Sequence, residues 1–265
     1  MKYLFFSDLD GTLLDHDTYS YEPSREATAI LREHQFPLIL VSSKTFSEMK
    51  ILHDEMELAA PFIFENGGGI YWPDDRGRIE YCGKNVSVLR EGRELLESVL
   101  GEPVRFISDI TADEIVNITG LSRERALLSQ RRMTSLPFIL NTENKFGIDD
   151  LDRINEQLSS RGFYITKGGR FYHFLSLQSS KGSAIRKVID FYRREFNSSI
   201  TTVGIGDSEN DIAMFNVVDI PVVVRKHDGT LIKTGIEHIR KTSCIGPEGF
   251  NEAVKSIIEG SSGSM

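Results

Sequence analysis

Apolar residues in this chain fall into short runs of two kinds. Tyr3–Ser7 is apolar and aromatic without alternation, as expected of a strand buried on both faces of a parallel sheet, and it ends at Asp8. Between about Ser24 and His34, Ala27, Ile30 and Leu31 are spaced for one buried helical face, and Pro37–Val41 is again a continuous apolar run. The opening segment therefore predicts a strand–helix–strand unit. Thr45 and Glu48 match a capping box that opens a helix to about Met56, and Pro61–Phe64 supplies a third buried strand, stopped by Asn66-Gly67-Gly68-Gly69. The same texture returns late in the chain, with a helix over Lys181–Phe196, a strand over Thr201–Ile205, a helix over Asn210–Phe215 and a strand over Pro221–Val224. From about Gly83 to Gly168 the pattern changes to helices separated by short alternating strands such as Val104–Ile107 and Phe163–Thr166. We read an α/β protein with a parallel-sheet core of residues 1–82 and 169–259, an inserted α/β domain over 83–168, and a flexible Gly/Ser tail over 260–265.

Composition narrows the partners more than the fold. Of 265 residues 40% are hydrophobic and 26% charged, which is ordinary for a globular chain. The 39 acidic and 31 basic residues give a net charge of −8, so neither nucleic acid nor an anionic membrane is an expected partner. A small anionic substrate remains open, because a local basic cluster can build a positive pocket in an acidic protein. No apolar run approaches the roughly 18 residues needed to cross a bilayer, and Tyr3-Leu4-Phe5-Phe6 is too short for a secretory signal, so a soluble cytoplasmic protein is expected. Cys82 and Cys244 cannot make a tetrahedral thiolate site alone and read as reduced structural residues.

The candidate chemistry sits where predicted strands end, the place at which open α/β sheets bind ligands. In Asp8-Leu9-Asp10-Gly11-Thr12, two carboxylates one residue apart can divide labour, the first as nucleophile and metal ligand, the second as general acid and base. The same string also suits a solvated turn. Val203-Gly204-Ile205-Gly206-Asp207-Ser208-Glu209-Asn210-Asp211 delivers a second set of acids from a buried strand, with Asp207 placed to join Asp8 on a hard cation such as Mg²⁺. Asp211 either orders the site from behind the ligands, together with Asn210, or favours the next helix N-terminus. A hydroxyl at Ser42-Ser43 and the lysine of Ser180-Lys181-Gly182 would supply the remaining needs of a phosphoryl site.

These four elements, in this order, resemble the haloacid dehalogenase-like hydrolase superfamily. The resemblance implies a Rossmann-like core in which Asp8 forms an aspartyl-phosphate and Asp10 protonates the leaving oxygen and later activates water. It further implies that Ser43 and Lys181 hold the phosphoryl group, and that Mg²⁺ is bound by Asp8, Asp207 and the Asp10 backbone carbonyl. An insertion between Ser43 and Lys181 looks like the α/β cap typical of sugar phosphatases. Leu40-Val41-Ser42-Ser43-Lys44-Thr45, Phe64-Glu65-Asn66-Gly67-Gly68 and Gly168-Gly169-Arg170-Phe171-Tyr172-His173 look like the mannosyl-3-phosphoglycerate phosphatase family, as does the segment around Arg132–Phe138, which departs there from the family's acidic and aromatic pattern. That likeness implies hydrolysis of a glycosyl-3-phosphoglycerate to a glycosylglycerate, a compatible solute. The alternatives are a general sugar-phosphate phosphatase and a phosphate-ligand binding module without turnover.

Arg123, Arg125, Arg131 and Arg132 gather in the inserted segment, either as a clamp for a carboxylate beside a phosphate or as a solvated face. Arg132 and Arg170, with Lys44 and Asn66 after strand ends, are the candidate substrate contacts, although turn roles also suit Lys44 and Asn66. His173, on an alternating strand, reads as a half-buried structural residue.

Overall fold

The computed structural model of the chain describes residues 2–74, 76–140 and 148–262. In chain order the elements are β1 (Lys2–Ser7), α1 (Arg25–Glu33), β2 (Leu38–Val41), α2 (Phe46–Glu55), β3 (Phe62–Phe64), β4 (Gly69–Trp72), β5 (Arg78–Tyr81), α3 (Val86–Glu91), α4 (Arg93–Leu100) and β6 (Val104–Phe106). There follow α5 (Ala112–Thr119), α6 (Arg123–Ser129), β7 (Ser135–Leu140), α7 (Ile148–Ser159), β8 (Phe163–Lys167) and β9 (Tyr172–Ser176). The chain ends with α8 (Lys181–Phe196), β10 (Ile200–Gly206), α9 (Ile212–Phe215), β11 (Ile220–Arg225), β12 (Arg240–Ile245) and α10 (Gly246–Ser262). It divides into two compact units, Met1–Ser42, Leu58–Phe62 and Ile185–Met265 forming one, Ser43–Glu57 and Ile63–Ala184 the other. The boundaries expected at 82/83 and 168/169 both fall inside the second unit.

In the first unit the strands run in the order β12-β11-β10-β1-β2, every pair parallel. Leu4, Phe5 and Phe6 of β1, Ile39 and Leu40 of β2, Val203 and Ile205 of β10, and Val224 of β11 are all at 0% exposure, which is why β1, β2 and β11 carry unbroken apolar runs, β10 mixing its apolar residues with Thr and Gly. Helix α1 buries Ala27 and Leu31. Asn251 of α10 accepts from Ala27 N at 3.0 Å and donates to Pro23 O at 2.8 Å, fixing α10 against the start of α1. Strand β12 is the outer edge, exposed along most of its length, and its polar sequence carries no strand pattern. Helix α10 continues to Ser262, into the segment expected to be a flexible tail; residues 263–265 lie outside the described residues.

The second unit holds the antiparallel hairpin β4–β5 and a four-stranded antiparallel sheet of order β6-β7-β9-β8. Its core joins Leu89, Leu96, Phe106, Leu136, Phe138, Leu158 and Phe174. Phe106 meets Phe138 edge-on at 6.4 Å and Phe163 stacks on Phe174 at 5.0 Å, arrangements that add to the area these rings bury. Helix α2 begins with the predicted capping box: Glu48 N donates to Thr45 Oγ1 at 3.2 Å, and Thr45 N donates to Glu48 Oε2 at 2.8 Å. Strand β3 ends at Phe64, just before Asn66-Gly67-Gly68-Gly69, as the sequence predicts, and what the sequence does not show is the strand that follows at once. A single 3₁₀ turn over Glu65–Gly67 leads directly into β4. The mixed α/β architecture, with a mostly parallel sheet and a separate antiparallel α/β unit, is the fold class that the alternation of elements predicts. Among the described residues no helix is long and apolar enough to cross a membrane.

Candidate active site

In the first unit, parallel pairing sets Ser7 of β1 beside Ile205 of β10, and Asp8 N donates to Ile205 O at 2.9 Å. The residues that follow each strand, Asp8 and Asp207, therefore leave the sheet side by side. Asp8, Asp207 and Asp211 each offer a carboxylate oxygen, and these atoms lie within 4.8 Å of one another. Asp8 is 6% and Asp211 0% exposed. Asp211 reaches the group through the 3₁₀ turn Glu209–Asp211, in which its Oδ2 accepts from Ser208 N at 3.1 Å. Ser208 Oγ lies 2.7 Å from Asn210 Oδ1 and 3.0 Å from Asp211 Oδ2, so one hydroxyl ties both side chains to the turn. The sequence offers Asp211 two roles, cap or support; the fold adds its carboxylate to the cluster itself.

At such separations each pair of ionised carboxylates repels by roughly 3 kcal/mol at an effective dielectric constant of about 20. An all-oxygen donor set of this charge fits a hard divalent cation, and Mg²⁺ in particular, which is content with few protein carboxylates. Asp10, half-buried three residues past the end of β1, stands outside this side-chain group, in a tight turn where Gly11 N donates to Leu14 O at 3.1 Å. Gly11 is required twice over. Its φ is +77°, and a Cβ there would stand 2.8 Å from Asp207 Oδ2. Thr12 Oγ1 lies 3.5 Å from Asp207 Oδ1, a contact that sequence reasoning did not assign.

The second unit gathers the other candidates. Ser43 and Lys44 are half-buried after β2, Lys181 opens α8 at 2% exposure, and Asn66 lies in the Glu65–Gly67 turn at 3%. Arg132, half-buried just past the end of α6, donates from Nε to Ser129 O and from Nη1 to Ser43 O, both at 2.7 Å. The turn packs on the start of α8, since a Cβ on Gly67, whose φ is +90°, would fall 2.1 Å from Ser180 O and 2.7 Å from Lys181 N. Both amide atoms of Asn66 are buried and make no hydrogen bond. The same holds for His173 Nδ1 on β9. Burial lowers the His173 pKa to about 3, and the positive charges of Arg132 and Lys181 add to the effect, so this imidazole is neutral. It is more buried than its alternating strand suggests, at 5% exposure.

The arginine cluster is not one helical face. Arg123 and Arg125 are exposed on α6, Arg123 paired with Asp113 at 3.1 Å, whereas Arg131 and Arg132 follow the helix. Arg170 is exposed in the turn between β8 and β9. Glu65, which the sequence places in the family-like string Phe64–Gly68 but to which it assigns no role, is the residue the fold adds. Its carboxylate is at 0% exposure and accepts from Met133 N, Thr134 N and Ser135 Oγ, each at 2.8 Å, and from Thr134 Oγ1 at 3.2 Å. An acidic residue beside Asn-Gly has the look of a solvated turn, and nothing local marks it as buried.

A parallel α/β sheet whose strand ends gather three carboxylates defines an α/β enzyme with an acidic centre able to hold a hard cation. More particularly, the chain belongs to the haloacid dehalogenase-like hydrolase family, whose model matches residues 5–84 and 122–239. It is 36% identical to a glucosyl-3-phosphoglycerate/mannosyl-3-phosphoglycerate phosphatase of Methanococcoides burtonii, over 97% of this chain and 98% of that protein. A protein of the same description from Persephonella marina is 34% identical over 96% of this chain and 97% of its own length. Among solved structures, a phosphatase of the haloalkanoate dehalogenase superfamily from Bacteroides thetaiotaomicron superposes with a TM-score of 0.67 at 18% identity, over 96% of this chain and 94% of that one. The family expected from the motif strings is thus the family matched, and the chain is a phosphoric monoester hydrolase.

Proposed function

We propose that this chain is a Mg²⁺-dependent phosphatase that releases phosphate from a glycosyl-3-phosphoglycerate, mannosyl-3-phosphoglycerate foremost, through an aspartyl-phosphate on Asp8. The carboxylate group Asp8–Asp207–Asp211 carries the reaction class. The substrate rests on the names of the two full-length relatives and on the half-buried guanidinium of Arg132.

In this mechanism an Asp8 carboxylate oxygen attacks phosphorus, and the bond from phosphorus to the glyceryl oxygen breaks. Asp10 gives its proton to that departing oxygen. Asp10 then takes a proton from water, whose oxygen attacks the phosphoaspartate, freeing inorganic phosphate and restoring the Asp8 carboxylate. Mg²⁺ held by Asp8 and Asp207, with the Asp10 carbonyl and Asp211 as further oxygen donors, would neutralise charge on the transferring phosphoryl group. Ser43 and Lys181 are assigned to holding that group. Lys44, Asn66, Arg132 and Arg170 are assigned to the sugar and glycerate; because Arg132 Nε and Nη1 already serve Ser129 O and Ser43 O, its Nη2 is the end offered to a carboxylate. Residues 83–168 act as the cap that selects substrate, and the enzyme works in the cytoplasm on a small anionic sugar phosphate.

The test is phosphate release with Mg²⁺ and with chelator, comparing mannosyl- and glucosyl-3-phosphoglycerate, 3-phosphoglycerate and hexose phosphates. A hundredfold preference in kcat/KM for a glycosyl-phosphoglycerate, about 2.7 kcal/mol of differential transition-state binding, is expected. Comparable rates on hexose phosphates would move the protein to the general sugar phosphatases. Asp8→Asn is expected to fold and to release no phosphate, and Mg²⁺-dependent turnover by that variant would overturn the covalent step.

A further inference from the structure

We propose that Glu65 is a positioning residue, which holds Arg132, Asn66 and the Ser43-Lys44 segment in one fixed arrangement and acts on substrate binding through Arg132. The inference rests on the assignment of Arg132 to substrate under the proposed function.

The hydrogen bonds form a closed circuit. Arg132 Nη1 donates to Ser43 O at 2.7 Å; the peptide that follows Arg132 donates, through Met133 N, to Glu65 Oε1 at 2.8 Å; and Glu65 N donates to Lys44 O at 2.9 Å. Three segments distant in sequence are thereby tied at one residue. Thr134 N, Thr134 Oγ1 and Ser135 Oγ all converge on Oε2, so the carboxylate has four donors. A carboxylate at 0% exposure is costly unless so satisfied, and bonds to a charged acceptor are about twice as strong as neutral ones.

Backbone strain marks the same place. Glu65 has a φ of +50° and Asn66 one of +57°, two consecutive left-handed residues of which neither is glycine. For Glu such a conformation costs on the order of 1 kcal/mol and persists only where the surroundings over-determine it. What the strained turn presents is the Asn66 amide, buried at 3% exposure with neither polar atom hydrogen-bonded. Such a group calls for a ligand with hydroxyl or carboxylate oxygens. A purely structural clamp would have no need to leave that amide unmet.

Glu65→Gln tests this with almost no change of shape. The single remaining oxygen can keep Thr134 and Ser135, but the new amide then opposes Met133 N–H, which loosens the link next to Arg132. With the substrate that the wild type hydrolyses fastest, Glu65→Gln is expected to raise KM tenfold or more while kcat stays within threefold. Arg132→Ala is expected to raise KM by a similar factor. The double variant should then be no worse than Arg132→Ala alone, within twofold, because both changes remove one function. Multiplication of the two effects, or a fall in kcat at unchanged KM, would overturn the proposal. If Glu65→Gln does not fold, Ser135→Ala removes one donor to the carboxylate and enters the same cycle with an expected KM shift of about threefold. A wild type that prefers a hexose phosphate would refute the glycosyl-phosphoglycerate reading alone, and the cycle run on that ester still decides the role of Glu65.

Discussion

His173 couples the enclosure of the second unit to pH in a way that can be calculated. It lies on β9 across from Pro137 of β7 and Thr166 of β8, with Arg132 and Lys181 the charged groups that act on it. Folding lowers its pKa to about 3, chiefly by burial, whereas in the unfolded chain it titrates near the ordinary value of about 6.5. Between these values the unfolded chain binds a proton that the native protein does not. Stability is therefore fully present above the unfolded pKa and declines as pH falls through the window, by up to about 1.4 kcal/mol per pH unit. From pH 7 to pH 5 this one side chain accounts for a loss of about 2 kcal/mol. Urea unfolding of the wild type and of His173→Gln at both pH values isolates the term, since every other titrating group is shared and cancels in the difference. The wild type should lose about 2 kcal/mol more than the variant on acidification, whatever the variant's offset at pH 7. A difference under about 0.5 kcal/mol would mean that native His173 takes up its proton near the normal pKa, and the account of its burial would fail.

Further consequences can be checked on single variants. Asp211→Asn keeps an oxygen to accept from Ser208 N but removes a charge from the carboxylate group; the half-saturating Mg²⁺ concentration for phosphate release should rise about tenfold with the melting temperature little changed. An unchanged Mg²⁺ dependence would reduce Asp211 to a cap. Gly11→Ala places a methyl group against Asp207 at a backbone angle of +77°, so it should cost roughly 1–2 kcal/mol in chemical denaturation and weaken Mg²⁺ dependence as well. Thr45→Ala removes the hydroxyl that accepts from Glu48 N but keeps the reciprocal bond from the backbone N of residue 45 to Glu48, so it should cost about 1 kcal/mol in denaturant unfolding, while Thr45→Ser should recover most of it.

What the sequence made legible is what local pattern can encode. Strands β1 and β10 are buried along most of their length, β1 as an unbroken apolar run and β10 as apolar residues mixed with Thr and Gly, and the acids that follow them stand out against that background. The Thr45–Glu48 capping box lies within four residues of chain and announces α2 directly. Strand β12 was invisible for the opposite reason: an edge strand with one buried residue, Thr242, needs no hydrophobic period, and Arg240-Lys241-Thr242-Ser243 has none. Strand β4 was hidden by its own glycines, because a run of Gly after Asn is the ordinary mark of a loop, whereas here Gly67 and Gly68 allow the chain to pass close to Ser180 and Thr134 before pairing resumes at Gly69. Glu65 marks the limit of such reading. Its donors Thr134, just before β7, and Ser135, the first residue of β7, are 69 and 70 residues away, and its burial follows from where that strand begins rather than from any neighbour in sequence. The acids after β1 and β10 can be given a role from sequence because strand ends carry them to one place, while Glu65 lies in a family-like string that does not say what it braces. The role of a residue that positions the candidate chemistry is therefore legible only from its partners in the fold, and the coupling between Glu65 and Arg132 is where that role can be measured.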